Sequence, residues 1–296
     1  MLAQPDPNDL LAASSHAAVT NARATGDYFH SLEQWAVGGT SLFYWAIGIL
    51  PFKDGFYSST NKQIGGQTVG PEKDPDREAL MATLSCAMVG PMDGIELLNA
   101  SRVMTSCRKD GILLKPDKPL ATSESCFLSA NPTCHVYHTF SDVSLANASS
   151  SFRAHYIFSN DVEPLTSDML YHPSVGYKRH IYYNWYTGAT GVFQSSNALA
   201  AGYEGHIYAL VAPEMANGWS LLGEVDKYVP LSRKRIVGVD LHEQNMHVTV
   251  AGVAGEDVTV CALRSVEQTS RLDRVCHTVH FDSTKMLQVD FVSSLI

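Results

Sequence analysis

The chain has 296 residues, enough for one large domain or two ordinary ones, and its 45% hydrophobic and 17% charged content is that of a folded globular protein rather than a disordered one. A net charge of −9, with no block of Lys and Arg able to neutralise a phosphate backbone, excludes nucleic acid and disfavours an anionic lipid surface. The longest apolar run, Leu42 to Phe52, is well short of the roughly 20 residues that cross a bilayer, so it reads as a buried element and no membrane segment is expected.

The start, Met1-Leu-Ala-Gln-Pro-Asp-Pro-Asn-Asp9, has no basic region followed by an apolar stretch, so no secretory signal is expected within it. The expectation is a cytoplasmic protein, or one whose true start lies upstream with any secretory or lysosomal signal. Residues 10 to 20 read as the start of a helix, and Val19 to Ala22 lead into Arg23-Ala-Thr-Gly-Asp27-Tyr28. Thr25-Gly26-Asp27 fits an ordinary turn; a lone carboxylate on such a turn is also where a general acid would sit, provided burial or a second carboxylate raises its pKa. Leu42 to Ala46 is expected to be helical and Ile47 to Phe52 a buried strand ending at Lys53-Asp54-Gly55-Phe56, followed by a long Ser/Gly/Asn/Gln-rich loop over 57–73.

Asp74-Pro75 is a helix start, with Asp as N-cap and Pro in the first turn. Leu80, Met81, Leu84 and Met88 form its core stripe. The apolar run Ala87 to Met92 then delivers Asp93. A second helix follows, with Leu97, Ala100, Met104 and Cys107 on one face, Arg108 and Lys109 at its cation-favouring end and Gly111 as its stop. Strand, loop and helix in repetition is the rhythm of a (β/α) barrel, whose active site lies at the carboxyl ends of its strands. Asp27, Asp54 and Asp93 are each expected at such an end.

From about residue 150 the pattern becomes all-β. Short strands are expected at 153–158, 180–184, 191–194, 206–211, 235–239, 247–251, 257–263 and 285–292, an arrangement that fits a sandwich. The domains expected are 1–118 (the C-terminal part of a barrel), 119–149 (a linker or first β segment) and 150–296 (an antiparallel β-sandwich). The six cysteines show no Cys-x-x-Cys spacing, which removes the usual zinc and redox signatures and leaves open whether they pair. Asn99-Ala-Ser101 and Asn147-Ala-Ser149 are glycosylation sequons. His135-x-x-His138 and His277-x-x-His280, at i and i+3 on extended chain, point to opposite faces, so no metal is expected.

Arg23-Ala-Thr-Gly-Asp27 resembles the Arg-x-x-x-Asp segment ending the sixth barrel strand of α-galactosidases and raffinose synthases, the clan D glycoside hydrolases. Leu50-Pro-Phe-Lys-Asp-Gly-Phe56 is similar to their next strand end, with Asp54 matching the second Asp and Phe52 standing where the first would be. Val89-Gly-Pro-Met-Asp93-Gly94, Asp110-Gly-Ile-Leu-Leu-Lys115 and Asn184-Trp-Tyr-Thr-Gly-Ala-Thr-Gly-Val-Phe193 follow in the family's order. The resemblance implies that Asp27 is the acid/base, Arg23 its arginine, and Asp54 and Asp93 ligands of sugar hydroxyls. Trp35 is read as an apolar face for a sugar ring, or as core.

It further implies a partial (β/α)8 TIM barrel with only the last strands present. The nucleophile, which retaining enzymes hold about 5 Å from the acid/base, would then lie outside this chain. The function expected is retaining hydrolysis or transfer of α-galactosides without a cofactor, in a fragment inactive alone. The alternative is a non-catalytic carbohydrate-binding or scaffolding remnant.

Overall fold

The structure, a computed structural model, describes residues 15, 18–26, 28, 38–61, 71–123, 126, 136–146, 150–159, 177, 179–193, 206–266 and 271–292. The chain divides into two compact units between Ala121 and Thr122. It is mostly β, and antiparallel sheets dominate.

In the first unit β1 (Asn21–Arg23) and β2 (Leu50–Phe52) pair in parallel, with Arg23 opposite Phe52. Between them runs α1 (Gly38–Ala46). Gly48 adopts φ +83°, and the bonds Ile49 N–H to Tyr44 O (2.9 Å) and Gly48 N–H to Trp45 O (3.0 Å) close the helix in a Schellman turn. That turn consumes Ile47 to Ile49, so the strand expected over 47–52 shrinks to three residues. Tyr44 and Ile49 pack with Ala24, whereas Phe43 and Trp45 face outward.

The expected α2 (Pro75–Leu84) forms, with Asp74 as its N-cap accepting the Arg77 N–H at 3.1 Å. Leu80, Met81 and Leu84 are buried, but Met88 lies beyond the helix end and is 46% exposed. The second helix is much shorter than its stripe suggests. α3 (Ala100–Met104) has five residues, none buried. Cys107 instead enters an antiparallel bridge with Leu113, and Arg108 turns to Asp110 at 2.8 Å. The helix expected over residues 10 to 20 lies outside the described residues, apart from Ser15 and Ala18 to Thr20. No barrel closes among the described residues, whose parallel sheet is β1 and β2.

From Ala121 onward, β3 (Ala121–Thr122), β4 (Val136–Ser144), β5 (Ser151–Ser159), β6 (His180–Asn184), β7 (Thr190–Phe193) and β8 (Ile207–Pro213) form a six-stranded sheet in the order β3-β4-β5-β8-β6-β7. All of β8 is buried, as an interior strand covered on both faces requires. The remaining strands are β9 (Trp219–Gly223), β10 (Ile236–Leu241), β11 (Met246–Ala251), β12 (Glu256–Ser265), β13 (Leu272–Phe281) and β14 (Met286–Phe291). They make two three-stranded sheets, β10-β11-β14 and β13-β12-β9. β11 shows the two-residue alternation that marks a strand in sequence, with Met246, Val248 and Val250 buried.

Glycine is required at position 223, where φ is +79° and a Cβ would lie 2.2 Å from the Pro230 carbonyl. Immediately beyond it, Glu224 meets the fully buried Arg235. The Arg235 guanidinium donates to Glu224 (2.5 Å), to Glu256 (2.6 Å) and to the Ala251 carbonyl (2.6 Å). Cys261 and Cys276, opposite each other in the β12–β13 ladder, are disulfide-bonded, and so is Cys126; Cys86 and Cys107 are buried thiols. No helix among the described residues is long and apolar enough to cross a membrane.

Candidate functional site

The parallel pairing of β1 and β2 brings their carboxyl ends side by side, and the ladder runs one step further as Ala24 N–H donates to Phe52 O at 2.9 Å. On the other side of β2, Ala87 N–H donates to Pro51 O (3.1 Å), and Phe56 makes a parallel bridge with Pro91. Asp54 therefore stands two residues past the end of β2, and Asp93 two residues past that bridge.

Asp54 is a junction. Its Oδ2 accepts the Tyr28 N–H at 2.8 Å and pairs with the Arg23 guanidinium at 3.2 Å, while its own N–H donates to Thr25 Oγ1 at 2.9 Å. Arg23 and Asp54 thus meet. The Asp54 side chain keeps 24% of its surface exposed and that of Arg23 41%, so both are open to a solute. Asp93 is bound differently: both carboxylate oxygens accept the Ser58 N–H, at 3.0 and 2.9 Å, and the Ser59 hydroxyl lies 3.4 Å away. Ser58 is tied in turn to the Asn99 N–H (2.8 Å) and to Arg102, which pairs with Asp76 at 2.7 Å. Asp93 thereby fixes the loop that follows Phe56. Asp27 and Trp35 lie outside the described residues.

Beneath Asp54 is a buried polar layer that sequence reasoning missed. Lys53 is 2% exposed, forms a 2.5 Å ion pair with buried Glu78, and donates to the Asp54 carbonyl at 3.3 Å. Its ammonium also sits 4.9 Å from the Tyr28 ring centroid and 5.8 Å from that of Phe56. The Tyr28 hydroxyl donates to buried Glu72, whose other oxygen accepts the Asp74 N–H at 2.8 Å. Tyr57 meets the Tyr28 ring edge-on at 5.6 Å. Burial, reinforced by Glu72, pushes the Tyr28 phenol far above its ordinary range, so it stays a neutral donor. Burial also raises Glu78 and Asp74, against the pull of Lys53 on the first and of the Arg77 N–H on the second.

Only the adjacency of Lys53 to Asp54 and of Tyr28 to Asp27 pointed toward this layer. Glu72 and Glu78 are 18 or more positions away, and no spacing rule joins them to the strand ends.

The described histidines go elsewhere, and His135 lies outside the described residues. His138 Nε2 and His155 Nδ1 share a 2.9 Å hydrogen bond across β4 and β5, His277 stacks edge-on with Phe291, and His280 pairs with Asp257 at 2.7 Å. Among the described residues no three His, Cys, Asp or Glu side chains are arranged to hold a metal ion. The Asn99 side chain caps α3 by accepting the Arg102 N–H at 3.1 Å; the second sequon, at 147–149, lies outside the described residues. No protein-family model matches the chain, and no curated protein matches it.

Proposed function

We propose that this chain belongs to a glycoside hydrolase-like protein acting on α-galactosides, with a sugar-binding shelf built on Arg23 and Asp54. The observation that carries the reading is the Arg23–Asp54 pair, part-exposed at the carboxyl ends of two parallel strands. A carboxylate and a guanidinium held side by side offer acceptor and donor atoms to vicinal sugar hydroxyls. Asp27 would protonate the leaving glycosidic oxygen and then take a proton from water or an acceptor sugar, as the acid/base of a retaining mechanism does. In architectural terms the first unit is the end of a (β/α)8 barrel and the second an antiparallel sandwich.

Retention also needs a nucleophilic carboxylate about 5 Å from the acid. We assign that role to no residue of this chain, which is expected to bind α-galactosides without turning them over. The non-catalytic reading, a carbohydrate-binding remnant, is favoured by one observation: Asp54 and Asp93 already serve backbone N–H groups at their strand ends.

The test has two arms. Calorimetric titration of the chain with methyl α-galactoside, against methyl β-galactoside and methyl α-glucoside, should show selective binding that weakens about tenfold in Asp54→Asn, the loss of one charge-assisted contact. Hydrolysis of p-nitrophenyl α-galactoside is then assayed on the longest product of the transcript, alone and as Asp27→Asn. Turnover abolished by that substitution establishes the enzyme; binding without turnover in any product establishes the remnant. No binding to any of the sugars rejects both.

A further inference from the structure

The chain is held to the end of β2 at Thr25 and again at Tyr28. Thr25 Oγ1 accepts the Asp54 N–H at 2.9 Å, and the Tyr28 N–H donates to Asp54 Oδ2 at 2.8 Å. One residue thus gives a hydrogen bond to Thr25 and takes one from Tyr28, the reciprocal logic by which a capping box locks the first turn of a helix. Arg23 at 3.2 Å supplies the counter-charge on the same carboxylate oxygen. The far side of Tyr28 is fixed as well, by its hydroxyl bond to Glu72, the Lys53 ammonium over its ring and the edge of Tyr57, so its backbone has little freedom to swing.

From this juxtaposition we infer that Thr25 and Asp54 form a clamp that ties Thr25 and Tyr28 to the end of β2 and holds Asp54 in place, and that Thr25 is a positioning residue which acts on ligand through Asp54 without touching it. Thr25 is 2% exposed, so a bound sugar has no route to its side chain. The clamp gives Asp54 two tasks, anchoring Tyr28 through Oδ2 and Thr25 through its N–H while its exposed surface faces solutes. The consequence for ligand binding rests on the proposed function; the clamp itself does not.

Thr25→Val keeps the side-chain shape and removes the acceptor of the Asp54 N–H, whereas Thr25→Ser keeps the hydroxyl. Hydrogen–deuterium exchange in the full chain, followed at the Tyr28 amide, reads the clamp directly. Thr25→Val should raise that exchange and weaken methyl α-galactoside binding, each by about tenfold, the scale of one lost buried hydrogen bond. Thr25→Ser should restore both. An unchanged Tyr28 amide in Thr25→Val overturns the inference, as does a Thr25→Ser protein as impaired as Thr25→Val, because packing rather than the hydroxyl would then be responsible.

If Thr25→Val fails to fold, Asp54→Ser replaces it: the Tyr28 amide must then exchange faster, and an unchanged rate again overturns the clamp. If the unsubstituted chain binds no α-galactoside, the proposed function falls while the exchange comparison still decides the clamp.

Discussion

Arg235 is a single guanidinium serving two carboxylates and a carbonyl out of contact with water. Such a group stabilises only while every partner is present, since removing one leaves charge buried without compensation. Arg235→Ala should therefore cost about 3–5 kcal/mol by chemical denaturation, the range for breaking a buried ion pair. Glu224 is the soft point of the knot. Burial pushes its carboxyl up to about 7, further than Arg235 can pull it down. A carboxyl with a higher pKa folded than unfolded stabilises the protein below the unfolded value, and that contribution is lost as pH rises through the folded one. Stability should therefore decline between about pH 4.5 and 7 through this residue. Glu224→Gln, followed by thermal melts at half-unit steps, should gain on the unsubstituted protein as pH rises across that window. A constant difference at every pH would contradict the assignment.

At the scale of elements, what was legible was local. Asp74-Pro75 announces α2 because an N-cap acceptor and a residue without an N–H are both demanded there. Because burial disfavours the Asp74 charge, the acceptor matters more than the ionisation. Asp74→Asn should be nearly neutral by denaturation, while Asp74→Ala should cost about 1 kcal/mol.

Strands β6 and β11 were readable from their Tyr/Ile and Met/Val content, β6 to its end residues. β4 and β13 were not. β4 carries His138, Phe140 and Asp142 on its half-exposed positions and falls in the segment that reads as a linker or first β segment. β13 is an edge strand with half of its residues exposed and one buried, so it owes its existence to ten register pairs with β12 and to Cys276 opposite Cys261, neither encoded by local pattern. The stripe Leu97, Ala100, Met104, Cys107 misled in the opposite sense. Helical spacing was present, yet Arg102 and Asn99 are committed to polar ties with Asp76 and Ser58, and the chain leaves the helix after Met104. Similarly, Asp54 was legible as a strand-end carboxylate, but Lys53, Glu72 and Glu78 became part of its surroundings only through folding. The disulfide closes a separation of 15 residues, which the chain-entropy model values at about 3 kcal/mol. Replacing both cysteines by Ala should lower unfolding free energy by an amount of that order, and a dithiol reductant should reproduce part of the loss.

The whole molecule is acidic, with a pI near 5.7. As pH falls toward that value its surfaces lose the mutual repulsion that keeps copies apart, and light scattering at fixed concentration should peak there. Stability does not track this, because buried carboxyls gain from acidity over the same range. Glu78 and Asp74, raised by burial as Glu224 is, act in its direction, whereas half-buried His180, with a pKa lowered by desolvation, withdraws stability as pH falls below its ordinary 6.5.

The Arg235 knot also governs how the second unit comes apart. Its carboxylates stand at the end of β9 and the start of β12, strands of one three-stranded sheet, while Arg235 precedes β10 and the Ala251 carbonyl closes β11, strands of the other. Neither sheet can detach without stranding a charge in the one left behind. The two should consequently melt as one cooperative block, and amide protons of β11 and β12 should exchange with a common opening free energy, although no ladder hydrogen bond joins these two strands.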